Sequence, residues 1–353
     1  MRRGLLVAGA IAIAAGCAGP PPAGTCSLVQ EPQPIFGGSG DASYLRASAE
    51  EMDAVALVRF ATPAGETVQC TAFLVHPRWA VTAAHCAVLP AGSQGELSAG
   101  TSVFPVLQVV AHPSYDVALL ELSTDAAGIR PIALSSRDPA PLVSARAQIA
   151  GFGLNDSGVH GIRQFAVVRI SDAGGAELLT RSLSGSGACE GDSGGPLLTR
   201  DERGAVVALG SLSRGSAACN QGDRFVRADL WRDWALSVTG GPPPVEPVPC
   251  GSFDAAGQCF GDTAVWCGDG GALSGERCGA GTGTSCGWSD SSNGYRCVLD
   301  DPCGGADALG ACDGPALTQC LEGIRRTVDC GSCGQTCAEG SADGIARCQA
   351  AGG

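Results

Sequence analysis

Short apolar runs, broken by Gly and Pro, dominate the middle of the chain. Val55–Phe60, Thr67–Val75 and Trp79–Thr82 are rich in β-branched and aromatic residues, with Pro63-Ala64-Gly65 between the first two. Such runs, with turns about every 8–12 residues, predict an antiparallel barrel or sandwich. The period changes near Asp229. Leu230, Trp231, Trp234 and Val238 recur at helical spacing, which predicts a closing helix capped by Asp229, its aromatics anchored in the core. Gly240–Pro249 then holds five Pro in ten residues, and that composition predicts a semi-rigid, polyproline-like spacer of about 30 Å.

Beyond the spacer the chain is rich in Gly and Cys and poor in large apolar residues, so disulfides must replace a core. This tail repeats itself. Cys250, Cys259, Cys267, Cys278, Cys286 and Cys297 align with Cys303, Cys312, Cys320, Cys330, Cys337 and Cys348 at a period of 53. Residues 250–297 and 303–348 are therefore expected to be two Cys-rich repeats, each with enough cysteines for three bridges. Fifteen connectivities are open to each. Metal binding competes for Cys330-Gly331-Ser332-Cys333, but the tail contains no His. Disulfides are the expectation, with no metal and no cofactor.

The amino-terminal end points to export. Arg2-Arg3 precede an apolar run from Leu5 to Ala15, and residues 1–16 read as a signal peptide too short to span a bilayer. Ala14-Ala15-Gly16-Cys17 resembles the box at which bacterial lipoproteins are cut and lipidated. Cys17 is thus a candidate lipid anchor, facing the periplasm or the cell exterior, with plain secretion as the alternative. Residues 17–34 form a Pro-rich tether. The 19 Cys fit an oxidising compartment. All 22 basic residues are Arg, against 35 acidic ones, for a formal charge of −13. Nucleic acid is excluded as a partner, since phosphate binding needs clustered basic charge.

The candidate chemistry lies in three short stretches. Gly191-Asp192-Ser193-Gly194-Gly195-Pro196 offers a hydroxyl in a tight turn, Thr82-Ala83-Ala84-His85-Cys86 an imidazole, and Asp116, before Val117-Ala118-Leu119-Leu120, a carboxylate. Nucleophilic acyl transfer needs those three groups: a hydroxyl, a base to take its proton, and an acid to hold the base. Among four His, His85 has no rival, because His76 and His112 precede Pro and His160 lies in a Gly-rich stretch.

These motifs resemble the trypsin-like, chymotrypsin-fold serine proteases, which share the order His, Asp, Ser. Ile35-Phe36-Gly37-Gly38 is similar to the family's mature amino terminus, and Gly151-Phe152-Gly153 stands where Gly-Trp-Gly is common. The resemblance covers 35–239 and implies an all-β fold: two antiparallel six-stranded barrels, a cleft between them, and a short carboxy-terminal helix before the disulfide-rich tail. It implies bridges Cys70–Cys86 and Cys189–Cys219. Cys26 and Cys333 then remain, as candidates for a link between tether and tail. His85, Asp116 and Ser193 would be catalytic, the amides of Gly191 and Ser193 an oxyanion hole, and Ile35 would pair with Asp192 after cleavage. Gln33-Pro34 departs from the basic residue usual before such a cut.

The specificity pocket departs from trypsin itself. Gly187 replaces the acidic residue at the pocket base, and Ser213 is expected in place of a Gly wall, following Ser211 and Leu212. Asp223 either supplies a carboxylate from the opposite wall or faces solvent beside Arg224, leaving a neutral pocket for small or apolar side chains. The resemblance thus implies an exported serine endopeptidase acting on peptides or proteins through an acyl-enzyme on Ser193. The alternative is an adhesive protein whose repeats bind a surface or polysaccharide, the protease-like part being accessory.

Overall fold

The computed structural model describes residue 35 and residues 38–350, apart from positions 184, 280–282, 300–302, 304–305, 322–323 and 341. The signal segment 1–16, Cys17, the tether 17–34 with Cys26, and Phe36-Gly37 lie outside the described residues.

A five-residue helix, α1 (Ala49–Asp53), opens the body on a Ser48–Glu51 capping box. Six strands follow: β1 (Val55–Ala61), β2 (Thr67–His76), β3 (Trp79–Thr82), β4 (Gln94–Ala99), β5 (Ser102–Ala111) and β6 (Ala118–Leu122), with the turn of helix α2 (Ala84–Ala87) after β3. They close antiparallel in the order β1-β2-β3-β6-β5-β4. After the two-residue β7 (Ala133–Leu134) come β8 (Arg146–Gly151), β9 (Gln164–Asp172), β10 (Glu177–Ser182), β11 (Pro196–Arg200), β12 (Val206–Arg214) and β13 (Arg224–Arg227). These six close a second antiparallel barrel through β11–β12 pairing, with β7 added parallel to β12. Alternation feeds two cores. On β8, Ala147 and Ile149 fill the second barrel while Ala150 joins the first cluster.

The closing helix is α3 (Ala228–Thr239), and it begins one residue before Asp229. Arg227 is its N-cap, while Asp229 lies in the first turn and takes two bonds from the Arg227 guanidinium. Asp229 is therefore not the cap. The buried face is Ala228, Trp231, Ala235 and Thr239, leaving Leu230 exposed. Gly240 ends the helix in the left-handed conformation. No helix among the described residues is long and apolar enough to cross a membrane.

The Pro-rich segment does not hold the tail away from the body. Arg130 donates to the carbonyls of Glu246 and Pro247, and Val248 is buried, accepting from Leu273 N–H. In the first repeat, Gln258–Phe260, Thr263–Cys267 and Leu273–Arg277 form a three-stranded sheet and Ser285–Ser289 pairs with Gly294–Val298. The second repeat has the same plan, with Ala311–Asp313, Ala316–Leu321 and Ile324–Asp329, then Gln335–Glu339 with Ala346–Ala350. Numbering the six aligned cysteines of each repeat, both copies join first to third, second to fifth and fourth to sixth.

Candidate active site

β3 ends at Thr82, and the chain turns through α2, where a Cys70–Cys86 disulfide pins it back to β2. This presents His85 at the surface of the first barrel. Asp116 stands just before β6. Its Oδ2 lies 2.8 Å from His85 Nδ1, and its Oδ1 accepts from the His85 backbone N–H at 3.0 Å. Ser213 Oγ donates to the same Oδ2 at 2.7 Å. Two contacts with one residue fix the imidazole in place and put the Nδ1 proton toward Asp116, so Nε2 is the basic nitrogen. The hydrogen bond from Asp116 raises the His85 pKa above its ordinary value, against the opposing effect of burial. Burial also pushes the Asp116 carboxyl up, but the bonds from His85 and Ser213 outweigh it and hold the group at about 2. Cys70, His85 and Cys86 lie within metal-binding distance of one another. Both sulfurs are spent in one disulfide, so the cluster offers a single ligand.

Ser193 sits in the turn leading into β11. Thr71 N–H donates to the Ser193 carbonyl, Gly194 N–H to Leu212, and a Cβ on Gly194 would lie 2.4 Å from Thr71 O and Thr82 Oγ1. Only Gly permits that approach, and it brings the serine's turn against the segment carrying His85. No hydrogen bond joins Ser193 Oγ to the His85 ring, a catalytic bond of a kind that is often long until substrate binds. The amides are informative. The Glu190 carbonyl is tied to Leu154 N–H at 2.8 Å, and a trans peptide then turns the Gly191 N–H to the opposite side. Among the described residues, neither Gly191 N–H nor Ser193 N–H has an acceptor. Two unspent donors therefore flank the hydroxyl.

Behind this turn, Asp192 is 1% exposed. Its carboxylate accepts from Gly153 N–H at 2.7 Å and Cys189 N–H at 2.8 Å. Gly151 and Gly153 leave room for it; a Cβ on either would collide with the carboxylate. Burial pushes the Asp192 carboxyl up to about 7, and the Asp223 charge adds to the rise. Ile35 is buried in the second core beside Leu142, Ala147 and Ala188.

Two of the residues expected in the pocket, Ser211 and Ser213, stand elsewhere. Ser211 is fully buried, with Oγ donating to Gly194 O, so it lines no pocket. Ser213 bonds Asp116 and does not stand free as a wall, and Gly215, two residues on, lies against Asp223. A Cβ on Gly215 would stand 2.9 Å from Asp223 Oδ1. Asp223 does not face solvent. It is 2% exposed, its Oδ2 accepts from Ala188 N–H at 3.1 Å, and its Oδ1 is buried without a partner. Arg224 turns away to Glu177. Burial raises the Asp223 carboxyl to about 6. Gly187 backs onto Cys219, whose carbonyl would lie 2.7 Å from any Cβ there. The Cys189–Cys219 disulfide closes this corner. Sequence reasoning passed over Gly215, and Thr71, whose Oγ1 links Phe152 N–H to the Gly191 carbonyl. No local motif marks either.

Two antiparallel barrels with a His–Asp pair on one and a serine turn on the other define a chymotrypsin-like serine peptidase fold. The Trypsin family profile matches residues 46–235. The chain belongs to the trypsin family of serine proteases. It is 30% identical to trypsin alpha of Drosophila erecta, over 45% of this chain and 73% of that protein. It is 28% identical to the suppressor of tumorigenicity 14 protein homolog of Bos taurus, over 48% of this chain but only 25% of that much longer protein. A solved structure of HL collagenase aligns with a TM-score of 0.49 at 21% identity, covering 58% of this chain and 99% of that one.

Proposed function

We propose that the chain is an exported serine endopeptidase that cleaves peptide bonds through an acyl-enzyme on Ser193. The observation that carries this reading is the pair of uncommitted amides, Gly191 and Ser193, beside a hydroxyl whose partner barrel holds an ordered His85–Asp116 pair. His85 takes the Ser193 proton as Oγ attacks the scissile carbonyl. The carbonyl oxygen becomes an oxyanion held by the two amides, and Asp116 stabilises the imidazolium. His85 then gives its proton to the leaving amine, and water releases the acyl group by the same steps in reverse.

Two buried carboxylates define what the enzyme still needs. Asp192 awaits the amino group that cleavage before Ile35 would create. Asp223 is the receptor for a basic side chain preceding the scissile bond, because its Oδ1 is buried beside Gly215 with no hydrogen-bond partner among the described residues. Cys17 carries a lipid that holds the mature chain at a bacterial membrane. Cys17→Ser should move the protein to the soluble fraction.

A fluorophosphonate probe tests the central step, because it modifies only an activated serine. Labelling at Ser193, abolished in His85→Ala, is expected. A correctly folded chain beginning at Ile35 that takes up no label would overturn the reading.

A further inference from the structure

We propose that the first Cys-rich repeat is a positioning element of the active site, which holds the segment carrying Ile35 in the place where its amino group can reach Asp192. The inference rests on the activation reading given above, and adds to it a role for the tail.

The segment after Ile35 is short and tightly routed. Ser39 forms an antiparallel bridge with Phe165 of β9, with both N–H···O bonds at 2.7–2.8 Å. Ala42, Tyr44 and Leu45 are buried in the first core cluster. What covers them from outside is the tail. The Tyr44 ring meets Phe260 edge-on at 5.5 Å between centroids, Gln258 Nε2 donates to Tyr44 O at 3.3 Å, and Ser43 Oγ donates to Ala342 O. Two residues on, the Arg46 guanidinium lies 4.8 Å above the Phe253 ring. From beneath, Tyr44 OH donates to the Arg146 carbonyl, and Arg200 donates to the Leu45 and Arg46 carbonyls. Residues 42–46 are thus clamped between barrel and repeats.

The body is built for this cover. Arg146, on β8 of the second barrel, has a side chain only 7% exposed, and its side-chain partners are Asp307, Gly310 and Glu339, all from the second repeat. A buried guanidinium without those acceptors would be costly, so docking of the tail is part of the folded state of the barrel. Both repeats therefore act on the same strip of chain, and the strip begins three residues after the Ser39 bridge that follows Ile35. Burying a new amino terminus against Asp192 requires ordering about ten residues against their backbone entropy. A clamp over 42–46 has already ordered half of them.

The test uses the full chain processed to Ile35, with fluorophosphonate labelling of Ser193 as readout. Phe260→Ala removes the ring under Tyr44, and the Ser43→Ala, Gln258→Ala double variant removes two polar ties without opening a core. Labelling is expected to slow at least tenfold in the first and several-fold in the second. Free Ile-Phe dipeptide, added in trans, should restore it, because what is lost is the tether of the amino terminus and not the His85–Asp116 pair. Labelling within twofold of the parent in both variants overturns the proposal, and so does a loss that the dipeptide leaves unrescued. If the parent chain itself fails to label, it is the peptidase reading that falls.

Discussion

The two barrels bring opposite electrostatic situations to the cleft. In the first, Asp116 receives three donors, two from His85 and one from Ser213, and its carboxyl is held at about 2. In the second, Asp192 and Asp223 are buried far more deeply and accept backbone N–H bonds alone. Burial pushes them up to about 7 and about 6. The first half of the site is complete within the chain. On the reading proposed above, the second half takes its two cations from different places: one from a cut in the chain, the other from the substrate. Under that proposal the enzyme would be silent until its second barrel is charge-balanced, while its base stays ready throughout.

The largest effect should come from the groups that join the halves. Ser193→Ala or His85→Ala is expected to lower kcat by roughly 10⁴–10⁶, leaving only what the amides provide; peptide hydrolysis near the parent rate in either would break the comparison at its root. Asp223→Ser should come next. It is expected to cost roughly 10²–10³ in kcat/KM on substrates with Arg before the cleaved bond, with little loss on those with Ala. A parent enzyme that prefers Ala, Val or Leu, indifferent to this substitution, would mean that Asp223 serves the fold only.

Smaller changes test the first barrel. Ser213→Ala removes one of the three donors to Asp116, a charge-assisted bond, and should cost about tenfold in kcat. The pH profile carries the sign. His85 works as a neutral base, and its bond to Asp116 raises its pKa above 6.5, so kcat/KM should fall as pH drops through that raised value. Losing the Ser213 bond should let the Asp116 carboxyl rise. A Ser213→Ala profile superimposable on the parent's, at unchanged kcat, would remove Ser213 from the site.

The catalytic stretches were legible because their chemistry is local. A serine between glycines and a histidine before a cysteine carry constraints that show in a few residues. The barrel strands were legible for the same reason, as short β-branched runs between turns. The pocket was not. Ser211 and Ser213 stand two apart on one strand, so period-two alternation gives them the same face, and only the irregular pairing between Leu212 and Arg214 separates their roles. The helix cap was misread because Asp229, a good cap by type, is drawn to Arg227 instead. Docking of the repeats was also hidden: Arg146 and Asp307 lie 161 residues apart, and nothing in a Pro-rich segment says whether it extends or lies down.

The most direct test of the imbalance compares two forms of the Ser193→Ala chain, one with residues before Ile35 and one beginning at Ile35, by thermal unfolding from about pH 4 to about pH 8. In the uncut form the Asp192 carboxyl is raised from 3.8 to about 7. Its contribution to stability is therefore fully present below 3.8 and lost as pH rises through about 7. In the cut form the Ile35 ammonium should keep Asp192 charged and cancel that loss. Asp223 is present in both forms and coupled to Asp192, so the difference between the curves reports the pairing of Asp192 with Ile35 together with that coupling. The uncut form should fall in stability relative to the cut form as pH rises across this window. Two curves that run parallel from end to end would contradict the claim that Asp192 awaits a cation from Ile35.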